Sequence, residues 1–238
     1  MDAAPEPAGA IRPASEGVGQ LLVFTRTAGY RHASIPDGVA TLTALAAELG
    51  LQARHSEDPR ALDELEDVRV VAFLSTTGDV LDARGEAALA AFVRGGGGWL
   101  GVHAATDTEY GWPWYGKLAG ARFASHPAIQ EAQVLRANPH PSVDFLPAPW
   151  VRTDEWYDFQ DVSPDVTPLL ILDETSYAGH AAMTDQPLGE HPIAWYQEFD
   201  GGRAWYTGGG HTKDSFTEPL FRRHLLEGLR YAAGLPRD

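Results

Sequence analysis

Cysteine is absent from the 238 residues. That excludes disulfides, thiol nucleophiles and thiolate metal sites. Positive charge is scarce, with 18 Lys and Arg against 33 Asp and Glu, a formal net charge of −15. Such a surface repels phosphate backbones and anionic bilayers, so neither nucleic acid nor membrane is an expected partner. No apolar run approaches the roughly 20 residues of a membrane span. A G-x-x-x-x-G-K-[ST] phosphate loop and an H-E-x-x-H zinc motif are missing. No G-x-G-x-x-G follows the first expected strand, because Gly95–Gly98 precedes a strand instead. The first ten residues have neither a basic region nor an apolar one, unlike a secretion signal. A cytoplasmic location is therefore expected, or a secreted one if a signal has been removed.

Hydrophobic residues make up 44% and charged residues 21%, which suits a packed globular chain. Residues 1–18, rich in Ala, Pro, Gly and Glu, read as a flexible leader, and 19–238 as a single α/β domain. Continuous apolar runs at 20–24, 68–74 and 99–102 suit strands buried on both faces. Helical patterns follow at 35–49 and 81–94, with Pro36 placed for a first turn and Gly50 for a cap. A weak strand is expected at 52–55 and a short helix at 58–66. A helical piece at 117–121 and short strands at 133–136, 150–156 and 168–172 come next. A hairpin over 193–207 turns on Asp200-Gly201-Gly202, and a last helix runs from 218 to 233. The alternation predicts a mostly parallel, doubly wound sheet with helices on both faces and a small antiparallel extension.

Open α/β sheets bind ligands outside the carboxyl ends of their strands. His103 stands there, after Gly98-Trp99-Leu100-Gly101-Val102 and before Ala104-Ala105. The small residues around it give the shape of a nucleophile elbow, with imidazole where Ser or Cys is usual. General base, metal ligand and substrate hydrogen-bond partner all remain open for it. His32 follows the first strand and His211 a late one, each beside glycine, so all three loops are expected along one rim. Asp107 is a candidate to orient His103 or bind a hydroxyl, or else a turn residue. In Asp154-Glu155-Trp156-Tyr157, Glu155 is a candidate acid, base or metal ligand. Strand alternation would put Glu155 and Tyr157 on one face and Asp154 and Trp156 on the other. Trp112, Trp114 and Tyr115 offer flat apolar faces with polar edges, suited to sugar rings or to core packing. His126-Pro127 and His191-Pro192 are weaker signals, and His55, His140, His180 and His224 are read as incidental. Imidazole and carboxylate together suit zinc, nickel or manganese, so a divalent metal is admitted, on His103 and His211.

Seven segments carry a family resemblance. They are 24–35 (FTRTAGYRHASI), 101–108 (GVHAATDT), 112–115 (WPWY), 125–127 (SHP), 154–157 (DEWY), 191–195 (HPIAW) and 209–212 (GGHT). Together they resemble the ThuA-like, trehalose-utilisation family, in order and over about residues 20–234. The resemblance implies a flavodoxin-like three-layer α/β/α fold, similar to that of class I glutamine amidotransferases. It places His103 at the elbow that holds Cys in those enzymes and His211 near their late-strand His. With no Cys, glutaminase chemistry in its usual form is not available. It also implies sugar catabolism through 3-keto intermediates.

The expected function is carbohydrate processing, by hydrolysis or elimination of a sugar or 3-keto-sugar glycoside. His103, His211, Glu155 and Asp107 are the catalytic candidates. Tyr30, Arg31, His32, Trp112, Trp114, Tyr115, His126, Trp156 and Tyr157 are the substrate-binding candidates. A small-molecule carbohydrate is the expected partner, and a homo-oligomer is left open. One alternative is a sugar-binding module without chemistry. Another is an amidotransferase-like scaffold used only for assembly, for which His103 and His211 would stand far apart or be buried without a cavity.

Overall fold

The computed structural model describes residues 19–179 and 191–236; the leader 1–18 and His180 lie outside the described residues. Strands β1 (Gln20–Phe24) and β3 (Val68–Leu74) are almost wholly buried, because helices cover both faces of the sheet they enter. With β2 (Gln52–Ser56), β4 (Gly98–Val102) and β11 (Gly202–Thr207) they form the parallel half, in the order β2-β1-β3-β4-β11. That is the flavodoxin-like order. The sheet continues antiparallel through β10 (His191–Phe199), β9 (Thr167–Leu172), β6 (Gln130–Arg136) and β7 (Trp150–Asp154). A separate two-stranded ribbon pairs β5 (Arg122–Ser125) with β8 (Asp158–Gln160).

Among the described residues four α-helices flank the sheet: α1 (Ile35–Glu48), α2 (Ala83–Arg94), α3 (Pro113–Ala119) and α4 (Pro219–Ala232). Neighbouring positions in β4 show why both faces are covered, since successive side chains point oppositely. Trp99 packs its ring 5.9 Å from Tyr115 of α3. At Gly98 the backbone of α4 comes so close that a Cβ would collide with the Ala232 carbonyl. The glycine that opens the strand therefore serves helix packing. The β10–β11 hairpin closes through Asp200 and Gly201, at φ 50° and 94°. Two positive φ values are what a two-residue turn of the primed type requires.

Several boundaries differ from the sequence expectation. α3 starts at Pro113 rather than 117, with proline in the first turn, where its missing N–H is harmless. The piece expected over 58–66 is a 3₁₀ turn, Pro59–Asp63, capped by the Asp58 carboxylate accepting from Arg60 N at 3.0 Å. β7 stops at Asp154, so Glu155, Trp156 and Tyr157 are not in a strand. The alternation expected for them fails for that reason.

Candidate functional site

The rim at the carboxyl ends of β1, β4 and β11 gathers the histidines. β4 turns sharply at His103, whose φ is 52°, and passes into a 3₁₀ helix, His103–Thr106. A left-handed conformation at a residue with a Cβ costs roughly 1–2 kcal/mol. Two contacts hold it: the Tyr206 hydroxyl donates to the His103 carbonyl at 2.8 Å, and His103 Nδ1 lies 2.8 Å from the Gly208 carbonyl. That carbonyl only accepts, so Nδ1 donates to it and Nε2 faces Glu155 and His211. His211 arrives through Gly208-Gly209-Gly210, with Gly210 at φ 112°. His32 lies in the loop between β1 and α1, its ring 4.7 Å from that of His103 and 5.1 Å from that of His211.

Glu155 comes from further away. β7 is the edge strand, five places from β4 in the sheet order. Yet Asp154, at its end, accepts from the backbone N–H groups of Gly210 and His211 at 2.8 and 3.1 Å. The antiparallel half thus curls back over the rim and delivers Glu155 to the histidines. Glu155 Oε2 lies 2.9 Å from His211 Nδ1 and 3.4 Å from His103 Nε2, and those two nitrogens are 3.2 Å apart. His126 approaches the other oxygen, Nδ1 to Oε1, at 3.2 Å.

The group is dry. His103 is fully buried, and His32 and Glu155 are nearly so. Burial pushes the Glu155 carboxyl up, but hydrogen bonds and charge from His103 and His211 outweigh it and hold it well below the carboxylate range. Burial lowers His211, and its contact with Glu155 more than reverses this, leaving it raised. His32 has no such partner; burial and the nearby histidines lower it to about 3, and its Nδ1 is buried without a hydrogen bond.

His32, His103, Glu155 and His211 each offer one ligand atom, all within 4.8 Å of one another. A tetrahedral ion with bonds of 2.0–2.1 Å spaces its ligands about 3.3 Å apart. The three measured separations, 2.9, 3.2 and 3.4 Å, bracket that value, so only His32 has to close in. Three imidazoles and a carboxylate suit zinc, nickel or manganese. The cluster is capable of holding such an ion.

Other expected site residues fall into two groups. Tyr30 is 65% exposed, with its ring edge-on to His32 at 4.9 Å, and Arg31 pairs with Glu57 at 2.6 Å. Tyr157 is buried with its ring 4.3 Å from His103, which makes it a wall of the cluster. Asp107 is half-buried and accepts from the Tyr110 hydroxyl at 2.7 Å; burial raises its carboxyl. The aromatic cap is corrected. Tyr115 is fully buried and donates to the Ala105 carbonyl, while buried Trp156 donates to the Gln130 carbonyl. Neither has a free face for a sugar. Trp112 stacks on Trp114 at 4.8 Å, and Trp114 Nε1 donates to Asp200 in the β10–β11 turn. That turn lies beside the start of β4, at the opposite end of the strand from His103. The pair belongs to the packing of α3. A cavity of about 550 Å³ lined by Tyr110, Lys117, Arg122 and Phe199 lies beside α3 and contains none of the four clustered residues.

His191, weakly marked in the sequence, ties the chain around the site, with Nε2 donating to the Tyr157 carbonyl at 2.8 Å. Asp154 and Arg152 were missed as site residues. The carboxylate stood in the sequence beside Glu155, but only the curl of the sheet shows what it holds.

Against known proteins, the family model described as trehalose utilisation, ThuA, matches residues 20–232. The chain belongs to the ThuA family. Among solved structures, this ThuA-family protein is similar to a ThuA-like protein from Bacteroides uniformis, at 23% identity and TM-score 0.74, over 94% of this chain and 95% of that one. It is also similar to one from Parabacteroides merdae, at 17% identity and TM-score 0.75, over 93% and 92%. A β-galactosidase from Rahnella sp. R3 shares the fold at 14% identity and TM-score 0.60, over 92% of this chain and 32% of that one. These likenesses establish the three-layer fold. Comparison with curated proteins gave no match. ThuA-family membership agrees with a general role in carbohydrate processing.

Proposed function

We propose that this ThuA-family protein is an enzyme that cleaves a sugar or 3-keto-sugar glycoside at a divalent-metal centre formed by His32, His103, Glu155 and His211. The observation that carries it is the convergence of four ligand atoms within 4.8 Å at the carboxyl ends of the strands. Against a scaffold used only for assembly, His103 and His211 stand 3.2 Å from each other rather than apart.

A divalent ion held there would supply Lewis-acid polarisation of a substrate carbonyl, taken up as a fifth ligand beside the four side chains. In a 3-keto-glycoside the C2 proton is acidified by the neighbouring ketone, and the aglycone oxygen sits on C1, β to it. Removal of the C2 proton by a base forms the C1–C2 double bond as the C1–O bond breaks. The aglycone oxygen takes up a proton and leaves as an alcohol. Addition of water at C1 then turns the elimination into net hydrolysis. No nucleophilic carboxylate pair is needed. Asp107 is the base in this scheme: its carboxyl lies outside the cluster, and burial raises it, which strengthens it as a base. His126, against Glu155 and partly open to solvent, donates to the leaving oxygen. Tyr30 and Arg31 line the outer rim.

The test is incubation with trehalose, 3-keto-trehalose and related glycosides, in chelator and with zinc, nickel or manganese restored. Metal-dependent aglycone release, lost in His103→Ala, is the expected result. Thermal stabilisation by sugar without product in any metal state would establish a binding module instead.

A further inference from the structure

Asp154 is a fully buried carboxylate, and three of its five contacts are the backbone N–H groups of Glu155, Gly210 and His211. Its Oδ2 accepts from Gly210 N at 2.8 Å, Arg152 Nη1 at 2.9 Å and Ser215 Oγ at 2.9 Å. Its Oδ1 accepts from Glu155 N at 3.0 Å and His211 N at 3.1 Å. One carboxylate thus bonds the backbones of two clustered residues that lie 56 positions apart in the chain. The side chains of the same two residues meet 2.9 Å apart.

The anchor is itself fixed. Arg152 Nε donates to Glu218 Oε2 at 3.0 Å and its Nη2 to Ser215 Oγ at 2.9 Å. Its guanidinium lies over the rings of Phe221 and Trp150, 4.6 and 4.9 Å from their centroids. A buried ion pair often adds little to stability over an apolar pair of the same volume. Retaining this one, with five donors on a single carboxylate, is explained better by placement than by stability.

We propose that Asp154 is a positioning residue: through its two oxygens it sets the separation of Glu155 and His211 and so the geometry of the cluster. This rests on the cluster being the working centre of the protein. An asparagine at 154 has one acceptor oxygen. Whichever way its amide is turned, its NH₂ faces either the three donors now on Oδ2 or the two on Oδ1. The backbone of His211, Glu155 or both must then shift.

Asp154→Asn and Ser215→Ala form the test. Ser215→Ala removes one donor from Oδ2 but leaves the bonds to Gly210, Glu155 and His211, so it perturbs the network without releasing the clustered residues. Two readouts are taken on the full chain: histidine ring ¹H–¹⁵N signals, which need no metal, and Co²⁺ titration followed in the visible spectrum. Asp154→Asn is expected to move the His211 and His103 ring signals and to weaken Co²⁺ binding by about 10–100-fold, the range for loss of a group that orients ligands. Ser215→Ala is expected to leave the ring signals in place and Co²⁺ affinity within about twofold of the wild type, whatever it does to the melting temperature. Should Asp154→Asn fail to fold, Asp154→Glu replaces it with the same expectations, because a longer arm cannot meet all five donors in place. Unchanged ring signals in the position-154 variant, or equal effects in Ser215→Ala, would overturn the proposal. A wild-type chain that takes up no Co²⁺ would overturn the metal reading, while the ring signals still decide on Asp154.

Discussion

Replacing His103 by glycine should give a more stable protein than replacing it by alanine. Both variants lose the imidazole, the Nδ1 bond to the Gly208 carbonyl and the contacts with His211 and Glu155. They differ only in the backbone. At φ 52° alanine keeps the left-handed cost of roughly 1–2 kcal/mol, and glycine does not. Glycine in turn gives back about 0.4–1 kcal/mol through the greater freedom of its unfolded chain. The difference is about 1 kcal/mol in favour of His103→Gly. For a chain of this size that is a melting temperature about 2–4 °C higher than that of His103→Ala. Differential scanning calorimetry of the two variants under identical buffer and without added metal measures it. Turnover should be absent in both, which separates the backbone term from the chemistry. His103→Ala melting at or above His103→Gly would show that the turn is not strained as described, and that the elbow does not hold its histidine against a cost.

Acid should weaken the fold through His224. This residue is fully buried and burial lowers it to about 3 from 6.5, so it stays neutral in the fold and protonates on unfolding. Its contribution is complete above about pH 6.5 and declines as pH falls toward 3, by about 1.4 kcal/mol per pH unit. Urea unfolding at pH 7 and pH 5 should show a smaller loss in His224→Phe than in the wild type; equal losses would remove His224 as the cause. Trp114→Phe should leave glycoside turnover within about twofold, because the indole bonds Asp200 at the far end of β4. A large rise in KM in that variant would return Trp114 to the sugar site.

Much of this architecture is legible in the residues themselves. The runs of β1 and β3 announce strands buried on both faces, while the close approach of α4 to Gly98 shows only in the structure. His32, His103 and His211 are visible as histidines at strand ends because the parallel order fixes which loops share a rim. The ends of the antiparallel half are not legible in the same way. A period-two pattern through 150–156 gives no sign that β7 stops at Asp154, and the stop frees Glu155 to face the histidines while Asp154 turns to the backbone after β11. The aromatic residues fail for another reason. A tyrosine or tryptophan that lines a sugar site and one that fills a core have the same side chain, and only packing separates exposed Tyr30 from buried Tyr115 and Trp156.

The central claim, that four residues form a metal centre, is tested most directly by counting metal. Protein incubated with zinc, nickel and manganese in turn and freed of excess is analysed for elements, beside His103→Ala and His211→Ala. One divalent ion per wild-type chain, lost or sharply reduced in both variants, is the predicted result. No ion in the wild type under any of the three metals, or the same content in the variants, would contradict it.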